Sequence, residues 1–200
     1  MQAKTFAKPA GLVVALLLTT GCVTSDPMTS WFDPETALNY AALHEPLVVA
    51  RSVNRVTVAG RDYAYLGPID INRMGRRDYY LWIGMASTVD RALLDEDRPQ
   101  AATLVIEVDG VPMDFPLAPW NPGLDALPYP ASTPVYETFV ARASLDQIDR
   151  IASAASVKVL FALDDGTASS YELWSGQWLD WTRFTARAAD PQAIRQARRE

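Results

Sequence analysis

Thr103-Leu104-Val105-Ile106-Glu107-Val108-Asp109-Gly110-Val111-Pro112-Met113-Asp114-Phe115-Pro116-Leu117 decides the fold. Two apolar runs flank Asp109-Gly110. That dipeptide suits a two-residue hairpin turn, in which both turn residues take positive φ. On the second arm Val111, Met113, Phe115 and Leu117 alternate with Pro112, Asp114 and Pro116. A period of two marks a strand with one buried face. The prolines have no N–H to give a ladder, which places this arm at a sheet edge.

Downstream, residues 116–134 hold Pro116, Pro119, Pro122, Pro128, Pro130 and Pro134, with Trp120 and Tyr129 among them. This reads as one long proline-stiffened loop, a length often kept for function. Val135–Ala143 is a strand. Ser144-Leu145-Asp146-Gln147 fits a capping box, and Leu145, Ile148 and Ile151 line one face of the helix it starts. Val157–Leu163, Asp164-Asp165-Gly166-Thr167 and Ser169–Trp174 form a last hairpin. Asp190-Pro191 is a further capped helix start.

Upstream, Tyr79–Ile83 is a strand rich in aromatic residues. Met74-Gly75-Arg76-Arg77-Asp78 and Gly60-Arg61-Asp62 read as turns. Tyr63 and Tyr65 begin one strand, and Val56 and Val58 belong to another. Residues 87–100 read as a loop with a helical turn. Asp33-Pro34-Glu35 has the chemistry of a helix start. Leu38, Ala41 and Ala42 would share that helix's face, and Pro46 would end it. The sum is seven to nine strands, one longer helix and two shorter ones. Strands that follow one another through turns make a mainly antiparallel sheet. The expected fold is mainly β, an antiparallel β-sandwich with a few short helices at its ends. The alternative is an α+β fold with one antiparallel sheet and a helical layer.

The chain begins differently. Lys4 and Lys8 precede an uncharged apolar run from Ala10 to Leu18, and Thr19-Thr20-Gly21-Cys22 follows. A positive start, a short apolar run and small residues describe a secretory signal. The run is far shorter than the roughly 20 residues a transmembrane helix needs. Leu16-Leu17-Leu18-Thr19-Thr20-Gly21-Cys22 resembles the lipobox of bacterial lipoproteins, over about the first tenth of the chain. The resemblance implies a diacylglyceryl group, with fatty acids of the palmitate class, on the Cys22 thiol, and cleavage before Cys22 that makes it the new N-terminus. One acyl chain holds a protein only marginally, at about 0.8 kcal/mol per buried methylene; two or three hold it effectively permanently. Val23, where an Asp commonly retains such proteins at the inner membrane, implies the outer membrane in a two-membrane cell. The expected organisation is a signal peptide over residues 1–21, a lipidated Cys22 and tether over 22–32, and one β-rich domain over 33–200.

Removing residues 1–21 leaves 16 basic and 24 acidic residues, a formal charge of −8. Such a balance disfavours nucleic acid and anionic surfaces as general partners. Cys22 is the only cysteine. Once lipidated, it leaves no thiol for catalysis or a disulfide, so the fold must rest on packing. The single histidine, His44, sits beside Glu45-Pro46 at the end of the expected helix, where a cation suits the dipole. Nucleophilic triads therefore lack parts. Asp95-Glu96-Asp97 and Asp164-Asp165 lack the spacing of a calcium loop, and no carboxylate pair stands out for glycoside cleavage. No catalytic residue, metal ligand or cofactor is expected.

The aromatic residues carry the remaining signal. Tyr171, Trp174, Trp178, Trp181 and Phe184 crowd into 14 positions, the last three at helical steps. They read first as a plug over the end of the sandwich. Trp120, Trp174, Trp178 and Trp181 are the candidate binding residues, since indole faces stack on sugars and anchor protein partners. Arg73, Arg76 and Arg77 form a basic hairpin tip. The leading expectation is a non-enzymatic interaction or accessory subunit of a cell-envelope assembly, lipid-anchored and paired with an envelope protein. The alternative is a glycan- or small-ligand-binding lipoprotein that uses a Trp-rich surface.

Overall fold

At the centre of the deciding hairpin, Asp109 and Gly110 have φ of +50° and +82°. The computed structural model describes residues 28–54, 59–89, 100–120 and 127–190. Strand β6 (Ala101–Val108) pairs across the turn with β7 (Val111–Pro116). Leu104 and Ile106 are fully buried, and Met113 and Phe115 face them from β7. On the other side β10 (Val157–Leu163) continues the rows, giving Phe115–Leu104–Phe161 and Met113–Ile106–Val159. These apolar rows are one wall of the core.

The other strands are β1 (Met28–Asp33), β2 (Leu38–Leu43), β3 (Leu47–Asn54), β4 (Ala59–Arg73), β5 (Arg76–Ser87), β8 (Ala118–Pro119), β9 (Val135–Arg142) and β11 (Ala168–Ser175). Their order is β7-β6-β10-β11-β3-β4-β5-β9-β8, with β1 and β2 branching from β4, and every pairing is antiparallel. The two ends of this order are consecutive in sequence. β7 lies along β6, and two residues later β8 lies along β9. Leu117 N–H donates to Ala102 O at 3.0 Å, and Trp120 N–H to Thr138 O at 3.0 Å. Residues 111–120 thus bridge both edges and nearly close the sheet. The fold is mainly antiparallel β with two short helices, as expected from sequence, and Pro112 and Pro116 lie on the end strand of the order.

Several local expectations need correction. Residues 28–32, expected in the tether, are the first strand. No helix starts at Asp33. Its carboxylate accepts the Glu35 N–H at 2.9 Å and the Thr36 hydroxyl, closing a turn in which Ala37 takes φ +55°. Leu38, Tyr40 and Ala42 are then buried on the next strand. Gly60-Arg61-Asp62 lies within β4, because buried Asp62 pairs with Arg51 across β3. The Val56–Val58 strand, residues 90–99 of the expected 87–100 loop and the tail beyond Asp190 lie outside the described residues, as does Cys22. Of the expected turn at Met74-Gly75-Arg76-Arg77-Asp78, Met74 and Gly75 form it, with φ of +51° and +95°, while Arg76, Arg77 and Asp78 already belong to β5.

Of the expected 116–134 loop, Ala118–Pro119 form β8, residues 121–126 lie outside the described residues, and residues 127–134 pack down on the sheet. Tyr129 lies over Gly67, its hydroxyl donating to Pro68 O at 2.6 Å. The Tyr65 hydroxyl accepts from Thr133 N–H at 3.0 Å and bonds the Ser132 hydroxyl at 3.0 Å. Trp82 folds its ring over Gly84, where a Cβ would meet it at 2.5 Å, and is fully buried.

Helix α1 (Leu145–Ala152) has the expected capping box. Ser144 Oγ accepts the Gln147 N–H at 3.1 Å, and Gln147 Oε1 accepts the Ser144 N–H at 2.8 Å. Ile148 and Ile151 are buried beneath it. A 3₁₀ turn at Trp178–Asp180 leads into α2 (Trp181–Ala189), which buries Trp181, Phe184, Thr185 and Ala188. Thr185 Oγ1 donates to Asp149 Oδ1 at 2.9 Å, joining the helices. Phe184 meets Tyr79 edge-on, and Arg77 donates to the Ala188 carbonyl at 2.6 Å while pairing with Asp70. Among the described residues no helix is long and apolar enough to cross a membrane.

Candidate interaction surface

β11 alternates by its own sequence. Tyr171 turns into the core, while Glu172 and Trp174 turn outward. Trp174 is 55% exposed, flanked by Leu173 at 49% and, past the strand end, Leu179 at 63%. From Glu172 to Gln177 every residue is exposed. This is the densest run of exposed large apolar side chains among the described residues.

The indole is held in place. The Tyr63 ring on β4 meets it edge-on, with centroids 6.1 Å apart. The Arg61 guanidinium lies 4.1 Å from its centroid. Arg61 is itself fixed by its backbone: its N–H donates to Thr88 Oγ1 at 2.9 Å, and its carbonyl accepts the Thr88 N–H at 2.9 Å. Among the described residues its guanidinium makes no hydrogen bond or ion pair beyond the ring contact. A cation over an indole contributes about 0.5–1 kcal/mol at exposed sites. The contact fixes both groups and leaves the guanidinium donors for a partner's carboxylate or phosphate.

Beside this pair lies a shallow groove of about 350 Å³, floored by Arg51, Ser52 and Ser170. Arg51 is committed to the fold. Its Nε and Nη2 donate to Asp62 Oδ2 at 3.0 and 2.8 Å, Nη1 bonds the Ser169 hydroxyl, and the guanidinium sits 5.3 Å from the Tyr171 ring centroid. Glu172 adds an exposed acid at the rim. The surface therefore offers apolar area, one ready cation and one anion, with Arg61, Glu172, Leu173 and Trp174 on strands and Leu179 on the 3₁₀ turn that follows.

The four candidate tryptophans fall in three places. Trp178 and Trp181 meet edge-on at 5.1 Å in the helical layer, Trp181 almost wholly buried. Trp120 is half-buried against Tyr40, on which Trp31 stacks. Trp174 stands with Tyr63 and Arg61. Among the described residues, the groove beside Trp174 is lined by none of the other three tryptophans. His44 lies between β2 and β3, its Nδ1 2.8 Å from Thr29 Oγ1, and not at a helix end. At the 164–167 turn, the Thr167 hydroxyl and N–H donate to Asp165 and hold its carboxyl below the usual range. Asp164 accepts the Gln100 N–H at 3.0 Å. Among the described residues no three His, Cys, Asp or Glu side chains converge to hold a metal ion. Arg77 points inward to Asp70, while Arg73 and Arg76 are exposed. The sequence reading missed Arg61 and Tyr63 as site residues. Their signal was the alternation Arg61, Tyr63, Tyr65, which runs straight through the supposed turn.

No known protein family, curated protein or solved structure matches this chain.

Proposed function

We propose that this protein is a membrane-anchored envelope lipoprotein that acts as a non-enzymatic interaction or accessory subunit of a cell-envelope assembly. The lipobox-like segment at Cys22 supports the anchor. One observation carries the interaction reading: Trp174, held by Tyr63 and Arg61, is exposed between Leu173 and Leu179. A large aromatic side chain locked in place and left wet supplies contact area at little entropic cost, and Trp and Arg dominate interface hot spots. The Arg61 donors favour a partner that brings a carboxylate beside its apolar anchor. The glycan alternative needed two of the four tryptophans in one groove, so it ranks second.

The test is site-specific photo-cross-linking in the native envelope, from the lipidated chain, with the reactive group at Leu173 or Leu179 and a control at Val111. A discrete adduct from 173 or 179, absent at 111 and lost on Trp174→Ala, is expected. Equal, diffuse labelling from all three positions would refute the surface. Cys22→Ser separately tests the anchor, and an unchanged membrane fraction would overturn it.

A further inference from the structure

The end of the molecule bearing the β1–β2 and β4–β5 turns carries a second exposed apolar feature, and the anchor gives it an occupant. Met74 is 92% exposed at the tip of the β4–β5 hairpin. It takes φ +51° there, a backbone position that favours Asn or Gly, and among the described residues it buries almost none of its side chain. Arg73 and Arg76 flank it, both exposed. Arg73 makes no ion pair among the described residues, and Arg76 reaches Asp78 only at 3.4 Å. Phe32, 57% exposed, lies in the cross-strand row Phe32–Asn39–Asn72, two strand spacings from the hairpin arm that leads to Met74. Neighbouring strands lie about 4.8 Å apart, so that is roughly 10 Å. Among the described residues Glu35, on the β1–β2 turn, is an exposed acid at this end.

We propose that this end, led by Met74 with Phe32 beside it, rests on the lipid surface that holds Cys22. The inference depends on the anchor of the proposed function. Cys22 lies six residues before Met28, and a chain spans at most about 3.6 Å per residue, so the anchor holds Met28 within about 22 Å of the bilayer. From Met28 to Phe32 the strand advances about 14 Å. The tether therefore allows the end to touch down and keeps it from straying far. A methionine and a phenylalanine between arginines match an interface of acyl chains beneath anionic headgroups.

The experiment uses the lipidated chain in vesicles of phosphatidylethanolamine and phosphatidylglycerol. With Cys22 alkylated, an environment-sensitive thiol dye reports from one added position at a time: Met74→Cys, Leu179→Cys or Val111→Cys. The expected result is a blue shift and loss of aqueous quenching at 74, with 111 and 179 quenched as in buffer. Full quenching at 74 in a chain that floats with the vesicles would overturn the inference and leave the anchor standing. Protection at 179 in place of 74 would also overturn it, giving the membrane the Trp174 side of the molecule. A chain that fails to float would remove the anchor, and the inference with it.

Discussion

Tyr129 occupies the space that a side chain on Gly67 would fill. A Cβ built on Gly67 would lie 2.2 Å from Tyr129 Cζ and 2.5 Å from its hydroxyl. The ring is backed by Trp82, with centroids 5.6 Å apart, so it has little room to retreat. This contact fastens the proline-rich segment to the middle of the longest strand, close to where β2 gives way to β3 along β4.

Gly67→Ala should therefore destabilise the protein. Loss of glycine's freedom in the unfolded chain contributes about 0.4–1 kcal/mol of stability. Overpacking a tight site costs about 1–3 kcal/mol. The second effect wins, for a net loss of about 1–2 kcal/mol by urea denaturation. Tyr129→Phe should not rescue it, since the clash begins at ring carbons, whereas Tyr129→Ala should make Gly67→Ala nearly neutral. Additive losses in that double-mutant cycle would show that the two residues do not share the space.

The same burial sets an alkaline limit. Burial pushes the Tyr129 phenol well above the ordinary value of 10.0. Tyr65 moves the other way: burial raises it, but bonds from Ser132 and Thr133 outweigh that and bring it below the ordinary value. A raised folded pKa means the fold favours the neutral phenol. Its contribution is complete below about pH 10 and is lost as pH rises beyond, because the unfolded chain ionises first. Stability should fall above pH 10, and Tyr129→Phe should reduce that fall. At neutral pH the same variant leaves the Pro68 carbonyl without this donor and should cost about 1–3 kcal/mol. Absorbance at 295 nm against pH, with melting at each pH, would check it. A Tyr129→Phe slope identical to the wild type would refute the assignment.

What was legible in sequence follows how locally each feature is determined. The Asp109-Gly110 hairpin, the Ser144–Gln147 box and the Asp164–Thr167 turn are set by neighbours within four residues, and all three appear. Asp33-Pro34-Glu35 was ambiguous because a side-chain oxygen accepting N–H groups two and three residues on starts a helix or closes a turn equally well. Burial of Tyr40, whose stacking partner is Trp31 on β1, decides for the strand. Asp62 was hidden differently. Gly-Arg-Asp has the composition of a turn, and the pairing with Arg51 across the strands, which helps make a buried Asp tolerable, is not visible in the local sequence. The site was legible in part. Trp174 was a candidate on composition alone, but its separation from Trp120, Trp178 and Trp181 depends on how the sheet closes, which no local pattern encodes.

Arg77 should prove to be a structural residue despite lying in a basic hairpin motif. Nε donates to Asp70 Oδ2 at 2.9 Å, Nη2 adds a second bond to that oxygen, and Nη1 reaches the last turn of α2 at the Ala188 carbonyl. Asp70 is buried, and its Oδ1 has no partner. Arg77→Met would strand that carboxylate and remove a cation from the helix C-terminus, for a loss of about 3 kcal/mol or more at pH 7. Arg77→Met with Asp70→Leu should recover much of it, because a buried ion pair is replaceable by apolar packing. The check is melting temperature with limited proteolysis of α2. A single variant that melts like the wild type would show that the pair contributes nothing.

Trp174 and Trp181 offer the sharpest contrast, seven residues apart in one chain. Trp181 is buried between the helices and the core, so Trp181→Ala should cost about 3–5 kcal/mol through the cavity it leaves. Trp174 gives up only its contacts with Tyr63 and Arg61. Trp174→Ala should cost about 1 kcal/mol or less, and Arg61→Ala no more. Both of these variants should fold, reach the membrane and lose the cross-linked partner, while Trp181→Ala should lose the partner only as far as it unfolds. A Trp174→Ala protein that melts as low as Trp181→Ala would make the exposed indole a packing residue, and the interaction surface would have to be sought elsewhere.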